Sequence, residues 1–175
     1  MKIQDFNALS SLMETIGFDE EELTANRDGY MTKRQCSILN NDQNWWHGIN
    51  LLTIVITPLA IGLTFWDGIR VSDTISSRIG ITVFILVIGI ICYIYTHWKW
   101  KQVNTDLGKG NVISAEGTPK LKSFRERNGM KYTINIENSR FFVSKSVFEA
   151  FQLKTKYRVY YAPVSKRIIS AEPVE

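Results

Sequence analysis

Two apolar runs, residues 49–66 and 79–98, stand out from an otherwise mixed chain, and neither contains an Asp, Glu, Lys or Arg. At a rise of ~1.5 Å per residue, each is long enough to cross a hydrocarbon core of ~30 Å as a helix. All five tryptophans sit at the ends of these runs: Trp45, Trp46, Trp66, Trp98 and Trp100. Amphipathic indole rings belong at the two membrane–water interfaces, so these five are the expected membrane anchors. The pattern predicts a transmembrane hairpin over residues 49–100, with a short connecting loop at 67–78. Pro58 lies inside the first run between Thr57 and Gly62, where it removes one backbone bond and is read as a packing irregularity rather than a hinge. Thr82 and Gly89 interrupt the apolar surface of the second run. A pair of charge-free spans lines no ion path by itself.

Before the first run the pattern is helical. Asp5 is placed to cap FNALSSLMETI, in which Phe6, Leu9, Leu12, Met13 and Ile16 recur at helical spacing, and Gly17 suits the stop. Asp19 opens a second short helix, EEELTAN, with acidic residues in its first turn. Thr32 followed by Gln35 forms a capping box for a third. The polar stretch NNDQN at 40–44 predicts a break before the membrane.

After Trp100 the period changes to two. NVISAEGTPKL, KSFRER, KYTINIEN, RFFVS, YRVYYAP and RIISAE read as strands, punctuated by Gly117, Asn128-Gly129 and Asn138-Ser139. KYTINIE alternates cleanly, with Tyr132, Ile134 and Ile136 on one face and Thr133, Asn135 and Glu137 on the other. Between the fourth and fifth strands, KSVFEAFQL places Val147, Phe148 and Phe151 on one short helix. The fold class that follows is an α+β membrane protein: an N-terminal helical segment (1–48), the hairpin (49–100) and a small C-terminal antiparallel β-barrel of OB or SH3-like kind with one helix (101–175).

Composition adds placement. The mean hydropathy of −0.09 conceals the runs because polar flanks dilute them. The opening MKIQDFNALSSLMETIGFDEEEL lacks a basic start and an apolar core, so a cleaved leader is not expected and the first run is the expected insertion signal. Cys36 and Cys92 lie at different depths and offer no disulfide framework. Lys33, Arg34, Lys99, Lys101 and Lys109 flank the hairpin outside, against Arg70 and Arg78 in its loop, which predicts both termini on the cytoplasmic side of a cell membrane. Residues 1–48 hold four basic and eight acidic side chains, and residues 101–175 hold fourteen and seven. These opposite signs invite contact between the segments.

The basic C-terminal part suits anionic lipid or another membrane protein, and Lys154, Lys156, Arg158 and Tyr160 form the candidate interaction face. Nucleic acid is the weaker partner, since alternating tyrosines in a strand more often serve a core than a base-stacking platform. Residues 24–35, TANRDGYMTKRQ, fall on the positions of a calcium-binding helix–loop–helix. Asp28 is their only acid, however, and Gln35 stands where a bidentate Glu closes such loops, so a plain helix–turn–helix with Gly29 in the turn is expected. His47 and His97 lie at the same level of the hairpin without a nearby Cys, Asp or Glu, which makes them interfacial anchors rather than a metal site or pH sensor. Gly108 and Gly110 form GKG, which is no phosphate loop. No cofactor or metal is expected. Residues 101–175 contain no His or Cys, which removes the common nucleophilic triads from that part.

NRDGYMTKRQ at 26–35 and YRVYYAPVSKRIISAE at 157–172, preceded by FFVSKSVFEAF, resemble the signature stretches of a family of uncharacterised prokaryotic two-span membrane proteins. The resemblance spans nearly the whole chain and implies the same order of parts, with no assigned activity. Taken together, the sequence predicts a non-enzymatic membrane protein presenting a basic β domain for protein or lipid interaction. The alternatives are a tethered ligand or nucleic-acid sensor and, more weakly, a subunit of an oligomeric channel or transporter.

Overall fold

The computed structural model describes residues 3–66, 75–127 and 129–174. Most of the predicted loop 67–78, with Arg70, lies outside them, as does Asn128 of the predicted Asn128-Gly129 turn. The chain divides into two compact units, Met1–Ile38 with Asp106–Glu175 and Leu39–Thr105. We refer to the first as the mixed domain and to the second as the hairpin.

The mixed domain begins with α1 (Ile3–Leu12), continued by a π-helical turn over Met13–Gly17. Asp5 is inside this helix rather than at its cap. The helix α2 (Glu20–Arg27) starts at the predicted Asp19, where a full capping box forms with Glu22. The helix α3 (Lys33–Phe65) opens on the predicted box at Thr32: its N–H donates to Gln35 Oε1 at 3.1 Å, and the Gln35 N–H donates back to Thr32 Oγ1 at 3.3 Å. Between α2 and α3 the backbone turns at Gly29, whose φ of +88° is strained for any residue with a Cβ.

All six predicted strands are present: β1 (Ile113–Gly117), β2 (Lys120–Glu126), β3 (Gly129–Ile136), β4 (Ser139–Val143), β5 (Lys156–Tyr161) and β6 (Ile168–Val174). The short helix α5 (Lys145–Ala150) stands where expected, capped by Ser144. The strands do not close into one barrel. They form two three-stranded antiparallel sheets, ordered β1-β5-β6 and β2-β3-β4. No ladder joins β1 to β2 among the described residues, and the corner between them carries Pro119, which has no N–H to give a ladder. The β3–β4 pairing Ile136↔Ser139 puts the tight turn at Glu137-Asn138, one residue earlier than the sequence suggested.

The two sheets pack through the faces that alternation predicted. Ile134, Ile136 and Phe141 of one sheet and Tyr157 and Val159 of the other are fully buried, and the Phe141 and Tyr161 rings meet edge to face at 4.9 Å. Beside them α5 adds Phe148 against Tyr132 at 5.1 Å, and Phe151, just after α5, packs on Tyr157 at 4.8 Å. Aromatic pairs at these separations add to what area burial supplies.

The hairpin consists of α3 from Leu39 onward and of α4 (Ile75–Lys109) as far as Thr105. The expected break at NNDQN is absent: α3 is continuous through it. Mid-helix Asn and Gln are tolerated where their side chains find partners, and here Gln43 Nε2 donates to Asn104 Oδ1 of α4 at 2.7 Å. Both helices are long and apolar enough to cross a membrane, with 11% and 6% of their most apolar stretches buried.

Candidate functional site

The residues that the sequence singled out at its two ends meet in the mixed domain. Asn26, at the end of α2, is 1% exposed and makes every hydrogen bond its side chain has to give. Its amide nitrogen donates to Gln35 Oε1 at 2.9 Å and to the Tyr30 carbonyl at 3.0 Å; its oxygen accepts from Gln35 Nε2 at 3.0 Å and from Ser170 Oγ of β6 at 2.6 Å. One residue on, the Arg27 guanidinium forms an ion pair with Glu172, also on β6. Tyr160 Oη of β5 donates to the same carboxylate at 2.7 Å, and Arg158 stands 3.9 Å from it. The turn itself is pinned by backbone: the Met31 N–H donates to Gly110 O at 2.9 Å and the Val112 N–H to Gly29 O at 2.8 Å. Residues 24–35 therefore form the expected helix–turn–helix, with Asn26 and Gln35 bonded to each other.

Electrostatics tightens this joint. Burial pushes the Glu172 carboxyl up, but hydrogen bonds from Arg27 and Tyr160, with the charges of Arg27 and Arg158, overcome it and hold the group below the usual carboxylate range. The hydrogen bond to Glu172 raises Arg27 in turn. The charge asymmetry of the chain suggested acidic N-terminal groups on basic C-terminal ones; the pair across this joint has the opposite sense, a basic Arg27 on an acidic Glu172. The Ser170 hydroxyl proton goes to an amide oxygen rather than to a base, so the arrangement fastens two segments and does not activate a nucleophile. A second fastening lies nearby: Asp106, fully buried, accepts from the Val164 and Ser165 N–H groups at 2.9 and 2.7 Å and so holds the turn after β5.

The four residues of the predicted interaction face do not share one open patch. Tyr160 is 3% exposed, because the strand face on which it alternates with Arg158 and Lys156 is covered in part by α2. Lys156 and Arg158 both engage Glu116 of β1, at 2.5 and 2.7 Å, and those bonds lower the Glu116 carboxyl. Lys154 is exposed in the turn before β5.

In the hairpin, Trp45, Trp66 and Trp98 are exposed, whereas Trp46 packs edge to face on Tyr95 at 6.3 Å. His47 and His97 come to one level, as expected for an antiparallel pair, and both border Trp100, at 6.4 and 5.4 Å between ring centroids. Among the described residues no three His, Cys, Asp or Glu side chains gather.

One feature of the hairpin escaped the sequence analysis. Gln43, Asn50, Thr57 and Thr64 recur every seven residues along α3 and face Asn104, Thr96, Gly89 and Thr82 of α4 in reverse order. Thr96 donates to Asn50 in a buried bond, and the Thr64 and Thr82 hydroxyls are 3.1 Å apart. At the remaining rung the helices touch so closely that a Cβ on Gly89 would lie 2.7 Å from the Thr57 side chain. A seven-residue period keeps one helix face on its partner, and it was readable in the sequence had the polar rather than the apolar positions been counted. Thr82 and Gly89, noted only as interruptions, are two of its rungs.

With this geometry in hand, the chain was compared with protein-family models, curated proteins and solved structures, and none of the three gave a match.

Proposed function

We propose that the chain is a non-enzymatic two-span integral membrane protein that holds the mixed domain at the cytoplasmic membrane face for protein or lipid interaction. The observation that carries this reading is an inversion. Between residues 49 and 98, the buried side chains among the described residues are Asn50, Thr64 and Thr96, all polar, while Leu, Ile, Val and Phe side chains point outward. A helix pair in water does the reverse. In lipid, apolar contact gives helices no reason to associate, and small residues and interhelical hydrogen bonds hold them together. Both connections to the mixed domain, at residues 38–39 and 105–106, leave the hairpin at the same end, so one membrane face receives the whole domain. Confinement there raises its effective concentration toward membrane partners.

Alkaline carbonate extraction of membranes tests the first half: the chain stays in the pellet if it is integral, and release into the supernatant rejects the reading. Protease added to right-side-out vesicles tests the second, sparing residues 106–175 when the termini are cytoplasmic and digesting them when the orientation is reversed.

A further inference from the structure

The sheet β2-β3-β4 has one face in the core; on the other, Lys120, Lys122, Lys131, Arg140 and Phe142 are exposed, with Thr15 and Ile16 bordering the Phe142 end. Cross-strand register places Lys122, Thr133 and Phe142 in one row of that outer face and Lys120, Asn135 and Arg140 in the next. Phe124 and Lys131 form a third row, where Lys131 pairs with Glu126 at 2.5 Å. Phe142 is 66% exposed, which is unusual for a phenylalanine in mid-strand, and the Arg140 guanidinium lies 5.3 Å from its ring centre and 6.0 Å from that of Phe124. α5 packs on the opposite face, through Tyr132. Among the described residues the outer face thus offers the cations Lys120, Lys122, Lys131 and Arg140 against the carboxylate of Glu126, set around an exposed apolar ring.

We propose that this face docks on an anionic lipid surface, with Phe142 entering the headgroup layer and Lys120, Lys122, Lys131 and Arg140 neutralising lipid phosphates. The inference rests on the two-span reading, which keeps a bilayer always within reach. Charge complementarity selects the partner, because each basic side chain near an anionic leaflet is attracted to it and an aromatic ring suits the interface. Single-stranded nucleic acid fits less well. Sheets that bind it expose aromatic rings for bases to stack on, whereas the central strand here presents Lys131, buried Thr133 and Asn135, and one guanidinium lies beside both rings.

Lysine footprinting of the full chain in lipid nanodiscs tests this. With about a third of the lipid as phosphatidylglycerol, Lys120, Lys122 and Lys131 are expected to react with an amine reagent at least about fivefold more slowly than in pure phosphatidylcholine discs, with Lys154 as the unchanged reference. The protection is expected to fade at about 0.5 M salt, where screening is strong, and to be lost in Phe142→Asp. Equal rates in both discs, with the chain still inserted, overturn the docking and leave the membrane reading standing. A chain that enters neither disc overturns the membrane reading itself. Protection that needs added oligothymidylate, in discs of either composition, assigns the face to nucleic acid instead.

Discussion

Between residues 49 and 98 of the hairpin the side chains shielded from the surroundings are Asn50, Thr64 and Thr96, whereas the mixed domain shields Ile134, Phe141, Tyr157 and Val159 and ties buried polar groups such as Asn26 and Glu172 into networks. The same physics produces both arrangements. In water, burial of apolar surface drives assembly, and a buried polar group is tolerated once its partners are complete. In hydrocarbon the apolar term between helices vanishes, and what remains is close approach and hydrogen bonding. Polar residues therefore play different parts in the two units: the Asn26 network is an addition to an apolar core, and the Asn50 rung is itself the contact.

The largest effect expected from testing this contrast is at Asn26. Asn26→Asp keeps the shape but removes both N–H donors, so that Gln35 Oε1 and the Tyr30 carbonyl face a carboxylate. Each buried group left without a partner costs about 1–3 kcal/mol. Urea unfolding of the full chain in detergent is expected to show the mixed domain losing about 2–4 kcal/mol on that basis, while the hairpin signal is unmoved. A loss below about 0.5 kcal/mol, the scale of an ordinary surface change, would mean that the network is solvated and not a closed joint.

At the Thr57–Gly89 rung, the hairpin is expected to be sensitive to size rather than to polarity. Gly89→Leu forces a side chain into space that the Thr57 side chain already occupies, and overpacking of this kind costs about 1–3 kcal/mol. Thr57 is β-branched and stiff in a helix, so it yields little. Adding Thr57→Ala is expected to restore part of the loss in an SDS titration read through Trp46 fluorescence, and an equal loss in single and double variants would place the clash elsewhere.

How much of this was legible in the chain depended on whether the signal was local. Strand alternation in KYTINIE, the helix start at Asp19, the box at Thr32 and the stop at Gly17 all arise within a few residues, and the structure carries each of them. Alternation also told which face of YRVYY is apolar. It was silent on whether the other face stays open, and Tyr160 is buried there because α2, more than 130 residues away in sequence, lies over it. The split into two sheets is non-local in the same way, since it depends on β1 pairing with β5 rather than with β2. The seven-residue polar period was local, but it was overlooked because periodicity is ordinarily read from apolar residues, and in a lipid-facing helix these lie on the outside. The break expected at NNDQN failed for a related reason: polarity that signals a loop in isolation becomes a helix face when α4 runs alongside with Asn104.

A smaller effect separates the ion pair from the amide network of the same joint. Glu172 is held below its ordinary range when folded, so its contribution is complete above the usual carboxylate range and is lost as pH falls through the depressed folded value. Arg27 is half exposed, so screening keeps the contribution to about 1 kcal/mol or less. Stability of the mixed domain is expected to fall by that amount between neutral pH and the acid side of this window, beyond the fall seen in Glu172→Gln. Identical profiles for the two chains would show that Tyr160 and Arg27 hold the neutral group as well as the charged one.

The smallest effect is the most discriminating. Asn50→Leu removes the bond from Thr96 and puts an apolar side chain at the centre of the helix seam. If the hairpin lived in water, this change would enlarge its apolar contact and stabilise the pair. In a bilayer the gain is missing, because the leucine contacts lipid equally well when the helices are apart, and the cost is one interhelical hydrogen bond, about 0.6 kcal/mol on average. The sign of the change therefore reports the solvent. A small destabilisation in nanodiscs, measured by the same SDS titration, supports a lipid-embedded pair. Stabilisation there would mean that burial of apolar surface still drives the contact, and the inversion from which the membrane assignment is drawn would lose its physical basis.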